Sequence, residues 1–348
     1  MIEGYKELDP SKCYFVTGGA GFIGYFLSKK LLELGCRVIA IDNMNDYYDV
    51  NLKESRLKQL EGQEGFTFIR GDISDKKTVM KVFAEFKPQI VVNLAAQAGV
   101  RYSIENPDSY IQSNMIGFFN VLEACRHNPV EHLVYASSSS VYGANTKVPF
   151  STEDKVDNPV SLYAATKKSN ELMAHTYSQL FGIPSTGLRF FTVYGPMGRP
   201  DMAYFGFTQK IFKGEIIKVF NFGDCYRDFT YIDDIVESVA RILCNPPAKK
   251  VDEDSILNGI QYAVYNIGNN QPEHLMDYIA ALEKALSKAV GRVVVAEKEF
   301  LPMQPGDVKA TYSDSSPLVR DFDFKPGMSI EEGLQRFADW YVDYYQVK

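Results

Sequence analysis

Tyr163 and Lys167 stand four residues apart in a stretch, Leu162 to Phe181, whose pattern predicts a helix, so both side chains fall on one face. A phenol with an ammonium beside it can move a proton, because a nearby cation favours the ionised form of a group whose free pKa is about 10. Upstream, the apolar run Leu133 to Ala136 leads into Ser137, Ser138, Ser139 and Ser140. One of these hydroxyls can hydrogen-bond the substrate oxygen whose proton is moving. Tyr and Lys at this spacing also occur on ordinary helix surfaces, so the pair gains meaning only from what surrounds it.

A second feature supplies that setting. Thr17 to Gly24 reads TGGAGFIG, between the apolar run Tyr14 to Val16 and a helical pattern over Phe22 to Leu34. Gly18 permits the tight turn, Gly21 lets backbone approach a pyrophosphate, and Gly24 lets the helix close on the strand. Phosphate oxygens would then face the amides of Phe22 and Ile23 at the helix N-terminus. Arg37 to Ile41 reads as a second strand, and Asp42 follows eighteen residues after Gly24. An acidic side chain there accepts hydrogen bonds from both ribose hydroxyls and repels a 2′-phosphate, which favours NAD over NADP.

The elements that must position these groups alternate along the chain. Thr67 to Arg70, Ile90 to Leu94, Leu133 to Ala136 and Ser185 to Leu188 read as further parallel strands separated by helical segments. The expected fold is α/β, a doubly wound parallel sheet of Rossmann type with a smaller mixed α/β C-terminal lobe for substrate. Asn43, Asp72, Ile73, Leu94, Ala95 and Ala96 lie at predicted strand ends, where such sheets bind ligands. Asp72 is expected to face the adenine. The expected division is residues 1–188, joined by about 229–255, for the dinucleotide, and 189–228 with 256–348 for the substrate.

Composition narrows the classes. Among 348 residues, 37 Lys and Arg face 44 Asp and Glu, a net charge of −7, without a long single-sign run. That argues against a nucleic-acid or membrane partner. Five scattered cysteines with no CxxC pair fit reduced packing residues, with neither a disulfide framework nor a metal site. The start MIEGYKELDP lacks the basic and apolar regions of a signal peptide, and no run is long enough to span a bilayer. The expectation is a soluble cytoplasmic protein.

Taken together, TGGAGFIG, ASSSSVYG (136–143), YAATK (163–167), RFFTVYGP (189–196) and RDFTYIDD (227–234) resemble the extended short-chain dehydrogenases/reductases. Within them, DNMNDYYDVNLKESRL (42–57), GRPDMA (198–203) and QPGDV (304–308) resemble nucleotide-sugar 4-epimerases, most of all the UDP-glucuronate 4-epimerases. The resemblance implies a triad of Ser138, Tyr163 and Lys167, with Ser138 as the hydroxyl member and Lys167 orienting the cofactor ribose. It implies tightly bound NAD, a UDP-sugar substrate, and a homodimer packed through helices near 109–125 and 162–181. Arg227 and Asp307 match residues holding the uridine diphosphate, while Gln304 replaces a phosphate-binding Arg of hexose epimerases. Thr192 replaces a usual Asn, and with Arg199, Ser139 and Ser140 it suits the carboxylate of a uronic acid.

The implied reaction is transient oxidation at C4, after which the 4-keto sugar turns and hydride returns to its other face. Other readings stay open: a UDP-glucuronate decarboxylase, a 4-epimerase of UDP-glucose or UDP-N-acetylglucosamine, and a catalytically silent NAD-sensing protein on the same fold. A sugar 4,6-dehydratase fits less well, since it needs an acidic pair where Ser139 and Ser140 stand.

Overall fold

Continuous buried apolar runs are what a parallel sheet covered on both faces requires, and they assemble here as a seven-stranded sheet. The computed structural model describes residues 5–251, 257–303 and 309–347. Across the sheet the order is Tyr262–Ile267, Ser185–Phe190, His132–Ser138, Ile90–Asn93, Cys13–Thr17, Arg37–Asp42 and Phe66–Arg70. Every neighbouring pair is parallel, with Val16 opposite Ala40 on one side and Val92 on the other. All five residues of Cys13–Thr17 are buried. The order reverses between Cys13–Thr17 and Ile90–Asn93, and a doubly wound sheet opens its ligand crevice at that reversal.

Helices cover both faces. Phe22–Glu33 packs on Ile232–Leu243 across one of them. Leu162–Phe181 begins where the Ser161 hydroxyl accepts from the amide of Ala164 and ends at Gly182, whose φ of 66° a side chain would resist. It packs against His132–Ser138, which sets Tyr163 and Lys167 above the serines. That strand runs two residues further than the apolar run suggested, because Ser137 and Ser138 pair with Arg189 and Phe190.

The smaller lobe is built on Tyr226–Tyr231, which pairs with Thr192–Tyr194 and Ala310–Thr311 in parallel and with Pro272–His274 antiparallel. Ile217–Phe220 and Lys298–Leu301 form a separate parallel pair. One strand departs from the expected division of the chain. Tyr262–Ile267, assigned to the substrate lobe from sequence, is the edge strand of the large sheet, paired with Ser185–Phe190. Only its last two residues are buried, so it lacks the continuous apolar run of its neighbours. Among the described residues no helix is long and apolar enough to cross a membrane, and no cluster of His, Cys, Asp and Glu could hold a metal ion.

Candidate active site

The crevice at the sheet reversal is a cleft of about 1020 Å³ that continues between the lobes. At its floor the amides of Gly18 and Gly19 donate to the Ile41 carbonyl at 2.8 and 3.1 Å, and that of Gly21 to the Gly18 carbonyl at 2.9 Å. The turn is closed to side chains. A Cβ at Gly24 would lie 2.1 Å from the Gly18 oxygen, and one at Gly18, where φ is 71°, 2.9 Å from the Ala95 nitrogen. No side chain caps the helix that starts at Phe22, so its first amides are left to an anion. These features fit a dinucleotide pyrophosphate.

Asp42 ends the second strand with its carboxylate inside the cleft, accepting from the amides of Met44 at 2.9 Å and Ala20 at 3.2 Å. Asn43 donates to Asp72 at 2.8 Å, and the Ser74 amide donates to the same carboxylate. Burial opposes the Asp72 charge, but those hydrogen bonds outweigh it and hold its pKa below the ordinary value. Ile73, Leu94, Ala95 and Ala96 line the same cleft, as do Phe22 and Ile23. The expected cofactor set is therefore together.

The proton-transfer group is also together. Lys167 Nζ donates to the Ala136 carbonyl at 2.9 Å. Burial, then the nearby Arg199 cation, pushes its pKa down to about 7. Burial raises the Tyr163 phenol above its ordinary value, while a hydrogen bond with Ser138 and the charge of Arg199 pull it down and Asp201 pushes it up. The charge of Arg199 is the cationic influence that lowers this phenol within the protein itself.

Among the serines the side chains divide. Ser137 turns away and donates to Glu171 at 2.7 Å, a carboxylate that also pairs with Arg189. Ser138 accepts from the Ser140 amide at 3.2 Å and from its hydroxyl at 2.9 Å, leaving its own proton for Tyr163. Ser139 and Ser140 line the cleft beside it.

Thr192, Arg199 and Arg227 line the same cleft. Arg199 lies on Asp201, with Nε donating to Oδ1 at 3.0 Å and Nη2 to Oδ2 at 2.5 Å. The Tyr47 hydroxyl reaches the same carboxylate at 3.3 Å. Arg227 Nη1 donates to the carbonyls of Tyr226 and Lys309 at 2.9 and 3.2 Å. Asp307 and Gln304 lie outside the described residues.

Sequence reasoning missed Asp201, Tyr47 and Arg101, all of which line the cleft. Arg101 lies 5.5 Å from the centre of the Phe220 ring. Asp201 was legible in principle, since an acid two residues from an arginine in a Pro-containing turn is a natural partner. Tyr47 and Arg101 have no local signal that separates them from loop residues.

The family model for GDP-mannose 4,6 dehydratase matches residues 15–337. The chain is 54% identical over 336 residues to Protein CapI of Staphylococcus aureus, spanning 95% of this chain and 98% of that protein. It is 44% identical over 339 residues to a probable UDP-glucuronate 4-epimerase of Rhizobium meliloti (strain 1021), spanning 96% and 98%. A crystal structure of UDP-glucuronic acid 4-epimerase from Bacillus cereus, in complex with UDP-glucuronic acid and NAD, matches with a TM-score of 0.83. The identity there is 33%, over 96% of this chain and 100% of that one.

Proposed function

The chain belongs to the GDP-mannose 4,6-dehydratase family, and from that membership we propose that it is an isomerase that inverts C4 of UDP-glucuronate to give UDP-galacturonate. The observation that carries the choice of substrate is Arg199, a cation at the sugar end of the cleft within electrostatic reach of Tyr163. A uronate offers that cation a charged acceptor, where a neutral hexose offers only hydroxyl oxygens. The family is named for a dehydratase, but Ser139 and Ser140 stand where that chemistry needs an acidic pair. The relatives from Rhizobium meliloti and Bacillus cereus support the same choice.

NAD, when bound, accepts the hydride from C4 and returns it, so no net oxidation occurs. Gly18, Gly21, Gly24 and the amides of Phe22 and Ile23 would hold its pyrophosphate, and Asp42 its adenosine ribose. Ionised Tyr163 removes the proton from the 4-hydroxyl, and Ser138, by donating to the phenolic oxygen, favours that ionised form beforehand. Lys167, held by the Ala136 carbonyl, orients the nicotinamide ribose. After the 4-keto sugar turns and its other face meets the nicotinamide, Tyr163 returns the proton to the 4-oxygen.

That intermediate is a β-keto acid and can lose carbon dioxide when its carboxylate bond stands perpendicular to the ketone. Arg199, Thr192, Ser139 and Ser140 hold the carboxylate near the ketone plane. Arg227 and Asp307 hold the uridine diphosphate. The enzyme works in the cytoplasm as a homodimer, supported by exposed Ile111, Phe119, Leu172 and Phe181 on the two helical stretches expected to pair. Light scattering of the purified protein tests the dimer.

Proton NMR of the protein with UDP-glucuronate tests the reaction, first without added cofactor and then with NAD. A stable mixture of UDP-glucuronate and UDP-galacturonate is expected. UDP-xylose or a 4-keto pentose as the main product would make it a decarboxylase. Turnover of UDP-glucose or UDP-N-acetylglucosamine alone would overturn the assignment of Arg199.

A further inference from the structure

The two segments whose wording is closest to uronate epimerases, 42–57 and 198–203, lie far apart in the chain and touch in the fold. Arg56 makes the main connection. It sits on the helix Val50–Lys58 and is fully buried, at 0% exposure. Its Nε donates to the Met197 carbonyl at 3.0 Å, and Nη2 donates to the carbonyls of Met197 and Gly198 at 2.6 and 3.1 Å. Nη1 donates to the Ala20 carbonyl at 2.9 Å and to the Tyr48 hydroxyl at 2.8 Å. A guanidinium has five N–H groups, and these five bonds use them all.

None of those acceptors is a carboxylate. A buried cation is costly unless its hydrogen bonds are complete, so the arrangement must fix something. Ala20 belongs to the glycine turn that cradles the cofactor. Met197 is a non-glycine residue held at φ 54°, a conformation that persists only when its surroundings enforce it. Gly198 immediately precedes Arg199, and from the same segment as Arg56 the Tyr47 hydroxyl reaches Asp201, the partner of Arg199.

We propose that Arg56 is a positioning residue that locks the loop bearing Arg199 to the cofactor turn. The distance between the carboxylate-binding cation and the bound nicotinamide is thereby set by one rigid fork. This rests on the reading of the substrate as a uronate. Lysine cannot replace the fork, because its ammonium has three donors and no fixed plane. The alternative is an ordinary core arginine, whose loss would lower stability and leave substrate discrimination unchanged.

Arg56→Lys and the milder Tyr48→Phe, prepared as full-length protein with NAD, distinguish the two. Calorimetry would give the affinity for UDP and for UDP-glucuronate, and NMR the products. In Arg56→Lys the affinity for UDP-glucuronate should fall about tenfold or more, as expected when a binding group is displaced by a fraction of an ångström. The affinity for UDP should hold within about twofold, and pentose product should appear. Tyr48→Phe should move the same ratio in the same direction by less, and it decides the matter if Arg56→Lys does not fold. An unchanged ratio of the two affinities with no pentose in the folded variants overturns the proposal, whatever the melting temperature. A parent protein that ignores UDP-glucuronate and turns over a neutral UDP-sugar overturns instead the substrate reading on which the proposal stands.

Discussion

Arg199 and Asp201 form a forked ion pair across a single intervening proline, and the pair acts on Tyr163 from both sides: the arginine lowers the phenol's pKa and the aspartate raises it. Each charge can be removed separately. If ionised Tyr163 is the base, kcat/KM rises with pH as the phenol loses its proton in the free enzyme. Asp201→Asn should move that limb to lower pH, and Arg199→Met should move it to higher pH. Identical limbs in the two variants would show that the pair does not set the base.

Tyr163→Phe removes the proton acceptor while leaving the ring that packs edge-on against Tyr110 at 6.0 Å. Its kcat for epimerisation should fall by about 10²- to 10⁴-fold, the usual contribution of a positioned acid/base. NAD released on denaturation should match the parent protein. Ser138→Ala should fall less, because it removes a hydrogen bond to the phenol and keeps the phenol itself. A Tyr163→Phe protein of undiminished kcat would remove Tyr163 from the mechanism.

Much of this site was legible because its signals are local. The glycine turn, Asp42 at a strand end and the Tyr163–Lys167 pair each depend on residues within one βα unit or one helical turn, where spacing fixes geometry. Arg56 was not legible. A charged residue on a polar helix reads as solvent-facing, and its burial depends on carbonyls at 20, 197 and 198 that no short window contains. Tyr262–Ile267 escaped for a related reason, since as a half-buried edge strand it lacks the apolar run that marks its neighbours.

Gly24→Ala tests the cofactor cradle. The added Cβ would meet the Gly18 carbonyl oxygen at 2.1 Å, a backbone atom that cannot swing aside. Overpacking of this kind costs about 1–3 kcal/mol, and a backbone clash belongs at the upper end. Urea unfolding should show that loss, and the NAD carried through purification should fall with it. Parent-like NAD content in a folded Gly24→Ala protein would place the pyrophosphate elsewhere.

Beneath the serines, Glu171 accepts from Arg189 Nε at 2.8 Å and Nη2 at 2.9 Å, with both side chains almost wholly buried. Burial works against the Glu171 charge, but Arg189 outweighs it and holds the carboxyl below its ordinary range. Glu171→Gln leaves that arginine buried without its counter-charge, a change that costs about 3–5 kcal/mol. Adding Arg189→Met should restore much of the loss, which denaturant melts of the single and double variants will read. Equal stability of Glu171→Gln and the parent would make the pair incidental.

His132 gives the fold a pH dependence of its own. The ring is fully buried, with Nδ1 at 3.0 Å from the Leu243 carbonyl and Nε2 at 2.8 Å from the Thr186 hydroxyl. A carbonyl can only accept, so Nδ1 carries the proton and Nε2 accepts from Thr186. Burial then pushes the pKa down to about 4, only partly offset by the bond to Leu243. Because the unfolded chain takes up a proton near pH 6.5 and the folded chain does not until about 4, acid favours unfolding. The contribution is constant above about pH 6.5 and falls as pH drops, by about 3 kcal/mol across the whole window. His132→Asn keeps a donor for Leu243 but does not titrate. Its stability difference between pH 7 and pH 5 should be smaller than the parent's by about 2 kcal/mol, and parallel pH profiles for the two proteins would assign the acid sensitivity to other groups.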